Sequence, residues 1–194
     1  MGIREEQKER TRQAILESAV RLLRERGISG ASVAEVMKGA GLTVGGFYAH
    51  FDSKEALVGV ALRQALGERW RQLLSVVQSS GSEALEVVLR RYLSRRHRDN
   101  PAEGCPLPSV VSEAAHAYAS PQARDALAEE LETWAEGLGA LLAGDKGLRR
   151  QRALGVIALL SGGLSLARAL KGTPLSDEIL EACRALGRAA LRGA

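Results

Sequence analysis

An all-helical fold is the class this sequence predicts, and three observations predict it. The chain has many alanine, leucine, arginine and glutamate residues and only 4% aromatic residues, a composition that favours helix. No alternation of valine, isoleucine and threonine over four or more residues reads as a strand. The five prolines, Pro101, Pro106, Pro108, Pro121 and Pro174, lie in the second half, and none falls inside a helical repeat.

The first helix is expected from Arg4 to Arg26. Ile15, Ala19, Leu22 and Leu23 form its apolar stripe, and Gly27 is placed to end it in a left-handed conformation. Ser32 and Glu35 have the spacing of a capping box and open a short helix to Lys38 or Gly39. Gly41 supplies a turn. Thr43 then caps a second short helix reaching His50, and Asp52 or Ser53 caps a long one reaching Gln78. Further helices are expected over Ser82–Arg98 and Pro108–Tyr118, and another from Ser120-Pro121 to Ala143-Gly144. The last two cover Gly147–Lys171 and Pro174–Leu191.

The 194 residues and 20.7 kDa suffice to bury a core. With 45% apolar and 26% charged residues the chain has the balance of a folded soluble protein. A net charge of +4 permits a nucleic-acid partner without requiring one. Two cysteines, Cys105 and Cys183, make no disulfide framework, which points to a reducing compartment and a cytoplasmic protein. The charged N-terminus lacks the apolar core of a signal peptide. The longest uncharged run, the 15 residues Ala153–Ala167, is short for a membrane span, so no membrane partner is expected.

Ser32 to Phe51 has the form of two short helices joined by a glycine turn, a helix-turn-helix. An ordinary helical hairpin would have the same outline. Against it stand Gly45 and Gly46, side by side in a helix of about two turns, where each costs roughly 1 kcal/mol relative to alanine. Two bare positions there let the backbone approach another surface, and a DNA major groove is deep enough to use this.

The run SVAEVMKGAGLTVGGFYAHFDSKEAL, Ser32–Leu57, resembles the DNA-binding module of the tetracycline-repressor-like (TetR) transcriptional regulators. With the preceding helix the resemblance covers about a quarter of the chain; GCPLPSVVSEAA, from Gly104, resembles one branch of the family. The resemblance implies an N-terminal three-helix helix-turn-helix module, residues 1–52, followed by a larger helical effector-binding and dimerisation domain, residues 53–194. It implies that Thr43–His50 is the recognition helix, with Thr43 as its cap and at a phosphate or base edge. Val44, Gly45 and Gly46 would face bases, and Tyr48, His50, Lys54 and Ser32 would hold phosphates. Phe47 and Phe51 would be core residues that set the helix angle. The chain departs from the common pattern at Val44, where Lys, Arg, His or Ser often stands, and at Met37, which replaces a small residue. The recognition helix thus has no side chain for a bidentate base contact, each worth about 1–3 kcal/mol of discrimination. Shape readout, or Arg4, Lys8, Arg10 and Arg12 of the N-terminal segment, would supply the remainder; each of these basic residues singly also reads as part of a solvated face.

The same resemblance implies a homodimer through the last two helices and a double-stranded DNA operator as partner. An unknown small-molecule effector would bind among the middle helices. Ala153–Leu170 is apolar around most of its surface, and Ile179, Cys183, Leu186 and Ala190 add a stripe beside it. A central helix buried in one subunit would look alike. Trp70, Leu74, Tyr92, Cys105, Leu107, Val110, Glu113, His116 and Trp134 are the candidate pocket residues; each also reads as ordinary core or surface. Cys105, just before a helix start, is either a packed small residue or a thiol that senses oxidants or electrophiles. His50, His97 and His116 lie on separate helices with no HExxH or Cys-His cluster, and Walker, GxGxxG and GxSxG motifs are missing. No metal, cofactor or catalytic residue is therefore expected. The leading reading is a DNA-binding repressor released by an effector. The rival of another class is an all-helical small-molecule-binding protein or enzyme without specific DNA binding.

Overall fold

The computed structural model describes residues 2–80, 83–116 and 120–192. Among the described residues the regular elements are all helical. They run α1 (Ile3–Gly30), α2 (Val33–Gly39), a 3-10 helix (Val44–Ala49), α3 (Lys54–Ser80), α4 (Ala84–Tyr92) and α5 (Arg95–Asp99). A 3-10 turn (Pro101–Glu103) follows, then α6 (Leu107–Ala114), α7 (Pro121–Gly139), α8 (Lys146–Ala169) and α9 (Pro174–Arg192).

The helix ends follow local chemistry. Ser32 Oγ accepts the Glu35 amide at 3.2 Å, Ser53 Oγ that of Ala56 at 3.0 Å, Ser120 Oγ that of Ala123 at 3.1 Å, and Asp145 that of Leu148 at 2.9 Å. Each satisfies an amide that a helix start leaves without a partner. Gly41, at φ 71°, closes α2: the Leu42 amide reaches back to Met37 O at 2.9 Å and the Gly41 amide to Lys38 O at 3.1 Å. This paired return needs a left-handed residue, hence glycine.

Three expectations are corrected. Gly27 does break α1 with positive φ (72°), but its ψ of −166° is extended, and a further turn runs on to Gly30. The single helix expected over Ser82–Arg98 is two, because Ser94 leaves helical geometry (φ −115°, ψ 154°) and its Oγ caps α5 through the His97 amide at 3.1 Å. A serine inside a run of helix formers gave no warning of this. The element expected to end near Ala143-Gly144 stops at Gly139. Tyr118, the expected end of the Pro108 helix, lies outside the described residues.

The chain divides into two compact units, Met1–Leu66 with Cys105–Ala128, and Gly67–Gly104 with Glu129–Ala194. The division falls within α3. In the first unit α6 packs on α1, and Ile15, Leu23, Val36, Met37, Phe47, Leu57 and Leu62 are fully buried. Burying each such side chain stabilises by about 1.5–3 kcal/mol before entropy is counted. In the second unit α8 packs along α9, and Trp134, Tyr92, Leu89, Leu93 and Leu164 fill the interior. Arg98 and Arg95 both grip Asp177 there, at 2.9 and 2.8 Å, fastening α5 to α9. By length and composition α8 is apolar enough to cross a membrane, yet Ala153, Val156, Ile157, Leu160, Leu164 and Ala167 on it are buried within the protein.

Candidate nucleic-acid interface

The first unit presents one element whose construction is not explained by packing. Val44–Ala49, where a short helix was expected, is a 3-10 helix, and three residues per turn aligns side chains at i and i+3. Phe47 anchors it from beneath, fully buried, with its ring 6.0 Å from Phe51 in a stacked arrangement. Tyr48 stands edge-on to Phe47 at 5.2 Å and is 70% exposed. Val44 is 49% exposed, and Thr43, Gly45 and Ala49 also face solvent. A Cβ built on Gly45 meets nothing within 4 Å, and one on Gly46 meets only Met37 Cε at 3.8 Å. The unusual Met37 therefore underlies the bare strip of the rod.

Thr43 stands at the cap position with extended backbone (φ −85°, ψ 149°), but its hydroxyl makes no capping bond, contrary to expectation. It is left exposed and available to an outside acceptor. Ser32 Oγ accepts from Glu35, which still leaves its hydroxyl proton to donate elsewhere. His50 ends the rod half-buried; its amide donates to Phe47 O at 2.9 Å, and its Nδ1 is buried with no hydrogen-bond partner. Lys54 opens α3, half-buried beside Glu55.

The N-terminal basic residues divide. Arg12 lies over the Phe51 ring, 4.8 Å from its centre, so it braces the rod's aromatic base and does not extend outward as the sequence suggested. Arg10 sits 3.7 Å from Glu6 in an exposed pair worth little. Arg4 and Lys8 are exposed.

A contact that the sequence did not disclose ties α6 to the end of α1. The Glu113 carboxylate accepts from the Ser29 amide at 2.7 Å and from the Ser29 hydroxyl at 3.1 Å, while Ser109 Oγ donates to Arg24 O at 2.9 Å. A Cβ on Gly27 would collide with Glu113 Oε1 and stand 2.6 Å from Ser109 O. Gly27 thus makes room for the carboxylate as well as for its own φ. The placement of a lone glycine was the available signal.

The nine candidate pocket residues fall in both units. In the first, Cys105, Leu107 and Val110 are buried, Glu113 is committed to Ser29, and His116 is exposed. Cys105 has no exposed surface, so its thiol lacks the access an outward-facing sensor requires. In the second, Trp70 stacks on Trp134 at 5.7 Å, Tyr92 is buried edge-on to His97 at 4.6 Å, and Leu74 is half-buried. Trp134 Nε1–H is buried without an acceptor, an arrangement that costs about 1–3 kcal/mol. Among the described residues no group of three or more His, Cys, Asp or Glu side chains is placed to hold a metal.

Residues 15–61 match the family model of bacterial regulatory proteins, tetR family. Over 94 residues, 48% of this chain, the sequence is 27% identical to the uncharacterized HTH-type transcriptional regulator YerO of Bacillus subtilis and 29% identical to the HTH-type transcriptional repressor DhaR of Mycobacterium sp.. The matched stretch spans 31% and 47% of those two relatives, less than half of either. The crystal structure of a TetR-family transcriptional regulator from Cytophaga hutchinsonii is similar over 94% of this chain and 95% of its own, at 26% identity and a TM-score of 0.74.

Proposed function

We propose that this chain is a member of the TetR family of bacterial regulatory proteins and acts as a sequence-specific DNA-binding repressor, released from its operator by a small molecule bound in the C-terminal part. One observation carries the DNA reading: the rod Val44–Ala49 is pinned from below by buried Phe47 and open above, with nothing of the protein near Gly45. Val44, Gly45 and Gly46 meet base edges in the major groove, Val44 favouring a thymine methyl. Thr43, Tyr48, His50, Lys54 and Ser32 grip phosphates on either side. No enzyme chemistry is assigned.

The protein acts as a homodimer in the cytoplasm, where its operator lies. What supports the pairing surface is the face left by α8 and α9. Leu154, Leu166 and Leu175 are exposed, Leu186 is 62% exposed, and Gly155 and Gly162 have no neighbour within 4 Å of a built Cβ. A second copy covers such a face, and two rods then meet successive major-groove turns.

Among the candidate effector residues, the buried Trp134 indole N–H with no acceptor is a donor a ligand satisfies. Ligand binding that redirects α3, whose residues belong to both units, changes the spacing of the two rods. A coupling of about 1–3 kcal/mol would shift DNA affinity roughly 5–150-fold. An anisotropy titration with the duplex upstream of the protein's own gene, against random duplex at equal salt, tests the DNA reading. The expected preference is at least about 10³-fold, and equal affinity for the two duplexes refutes it.

A further inference from the structure

We propose that the second unit carries a binding site for a small polyanion, a molecule with two or more carboxylate or phosphate groups, in the arginine-lined cleft formed by α5 and the C-terminal end of α4 with Arg69 of α3. The cleft holds roughly 590 Å³ and is lined by Arg69, Arg90, Arg91 and Arg96, with Glu103 as the only carboxylate among its described lining residues. A volume of this order suits a small molecule.

The pairing of arginines elsewhere in the unit sets these apart. Arg95 and Arg98 are held by Asp177, Arg188 by Glu86 and Arg150 by Glu132. Arg90 and Arg91 make no ion pair with any described residue, and Arg96 reaches Glu103 only at 3.9 Å, with both side chains well exposed. Arg69 is half-buried over the Tyr92 ring, 5.3 Å from its centre, and its Nε is buried with no hydrogen-bond partner.

His97 forms part of the wall and adds no charge. Its Nδ1–H donates to Tyr92 O at 2.7 Å. Burial, and then the nearby Arg69 charge, push its pKa down to about 3, so it is neutral at physiological pH. Arg90, Arg91 and Arg96 are exposed around the cleft and Arg69 is half-buried, and several guanidinium groups gathered at one concavity repel each other even where solvent screens them. An anion offsets that repulsion, and guanidinium forks match carboxylate and phosphate oxygens two at a time.

This inference is independent of the DNA reading, because its test measures binding to the protein alone. Isothermal titration of the full chain at fixed ionic strength uses inorganic pyrophosphate in one arm and citrate in the other, which separates phosphate from carboxylate recognition. At least one is expected to bind saturably, one per chain, with a Kd below roughly 1 mM. Arg90→Gln and Arg91→Gln should each weaken it about tenfold. Lys146→Gln combined with Arg149→Gln, at exposed or half-buried positions on α8, should change it less than about twofold despite the greater charge loss. Absence of saturable binding in both arms overturns the proposal. So does equal weakening by the α8 pair, which would mean general charge attraction.

Discussion

Gly27 and Gly45 are the same residue in the same unit, and the space around them is opposite. A Cβ at Gly27 would strike the Glu113 carboxylate and the Ser109 carbonyl, whereas one at Gly45 meets nothing within 4 Å. Gly104 in the second unit resembles Gly27, since a Cβ there would stand 2.6 Å from His97 Nε2. Packed glycines are explained by what the protein itself places against them. Gly45 has no such neighbour, and on that open position the proposed DNA contact rests.

The largest expected effect lies at the packed glycine. Gly27→Ala combines strain at φ 72° with a collision against backbone, and should lower unfolding free energy by about 4 kcal/mol. A loss under about 1 kcal/mol in urea melts would dissolve the contrast with Gly45.

Acid probes the other packed site. His97 has a folded pKa of about 3 against an ordinary 6.5, so between these values the unfolded chain binds a proton that the folded chain refuses. Stability is therefore full above pH 6.5 and falls as pH drops toward 3, by about 1.4 kcal/mol per pH unit. Asp99, held down to about 2 chiefly by its hydrogen bonds from Arg98, loses its contribution only as pH falls below its ordinary value near 4. Glu132, held down by its hydrogen bond from Arg150, begins to lose its contribution only as pH nears its ordinary 4.5, so the window from pH 6.5 to 5 isolates the histidine, for a total of about 2 kcal/mol. Fluorescence of the stacked pair Trp70–Trp134, in the same unit, should report the melt, and His97→Asn should flatten the slope.

A smaller effect is expected from Glu113→Ala, which leaves the Ser29 amide and hydroxyl without their acceptor. About 1–2 kcal/mol should be lost, with hydrogen exchange fastest at the end of α1. Protection unchanged there would mean that the α6 contact is incidental.

The fold was largely legible in the sequence because helix ends are written in single residues: Ser32, Ser53 and Ser120 each cap where expected, while Asp145 caps α8 without having been singled out. Ser94 escaped notice because a serine among helix formers has two uses, and tertiary packing chose the cap. The rod's exposure was legible in Gly45 and Gly46, but its 3-10 form was not, since 3-10 and α turns share their local preferences over six residues. Arg12 over Phe51 and Glu113 on Ser29 join residues far apart in the chain, and no local pattern encodes such pairs. The arginine cleft escaped for the same reason: Arg69 is remote in sequence from Arg90, Arg91 and Arg96.

The most direct measurement is the anisotropy titration repeated with Gly45→Leu. The added Cβ meets nothing within 4 Å, and unfolding free energy should change by less than about 0.5 kcal/mol. The substitution places a bulky side chain where base edges are proposed to approach, and specific DNA affinity should fall more than about tenfold. Unchanged stability together with unchanged specific affinity would contradict the account, because the bare strip would then face no DNA.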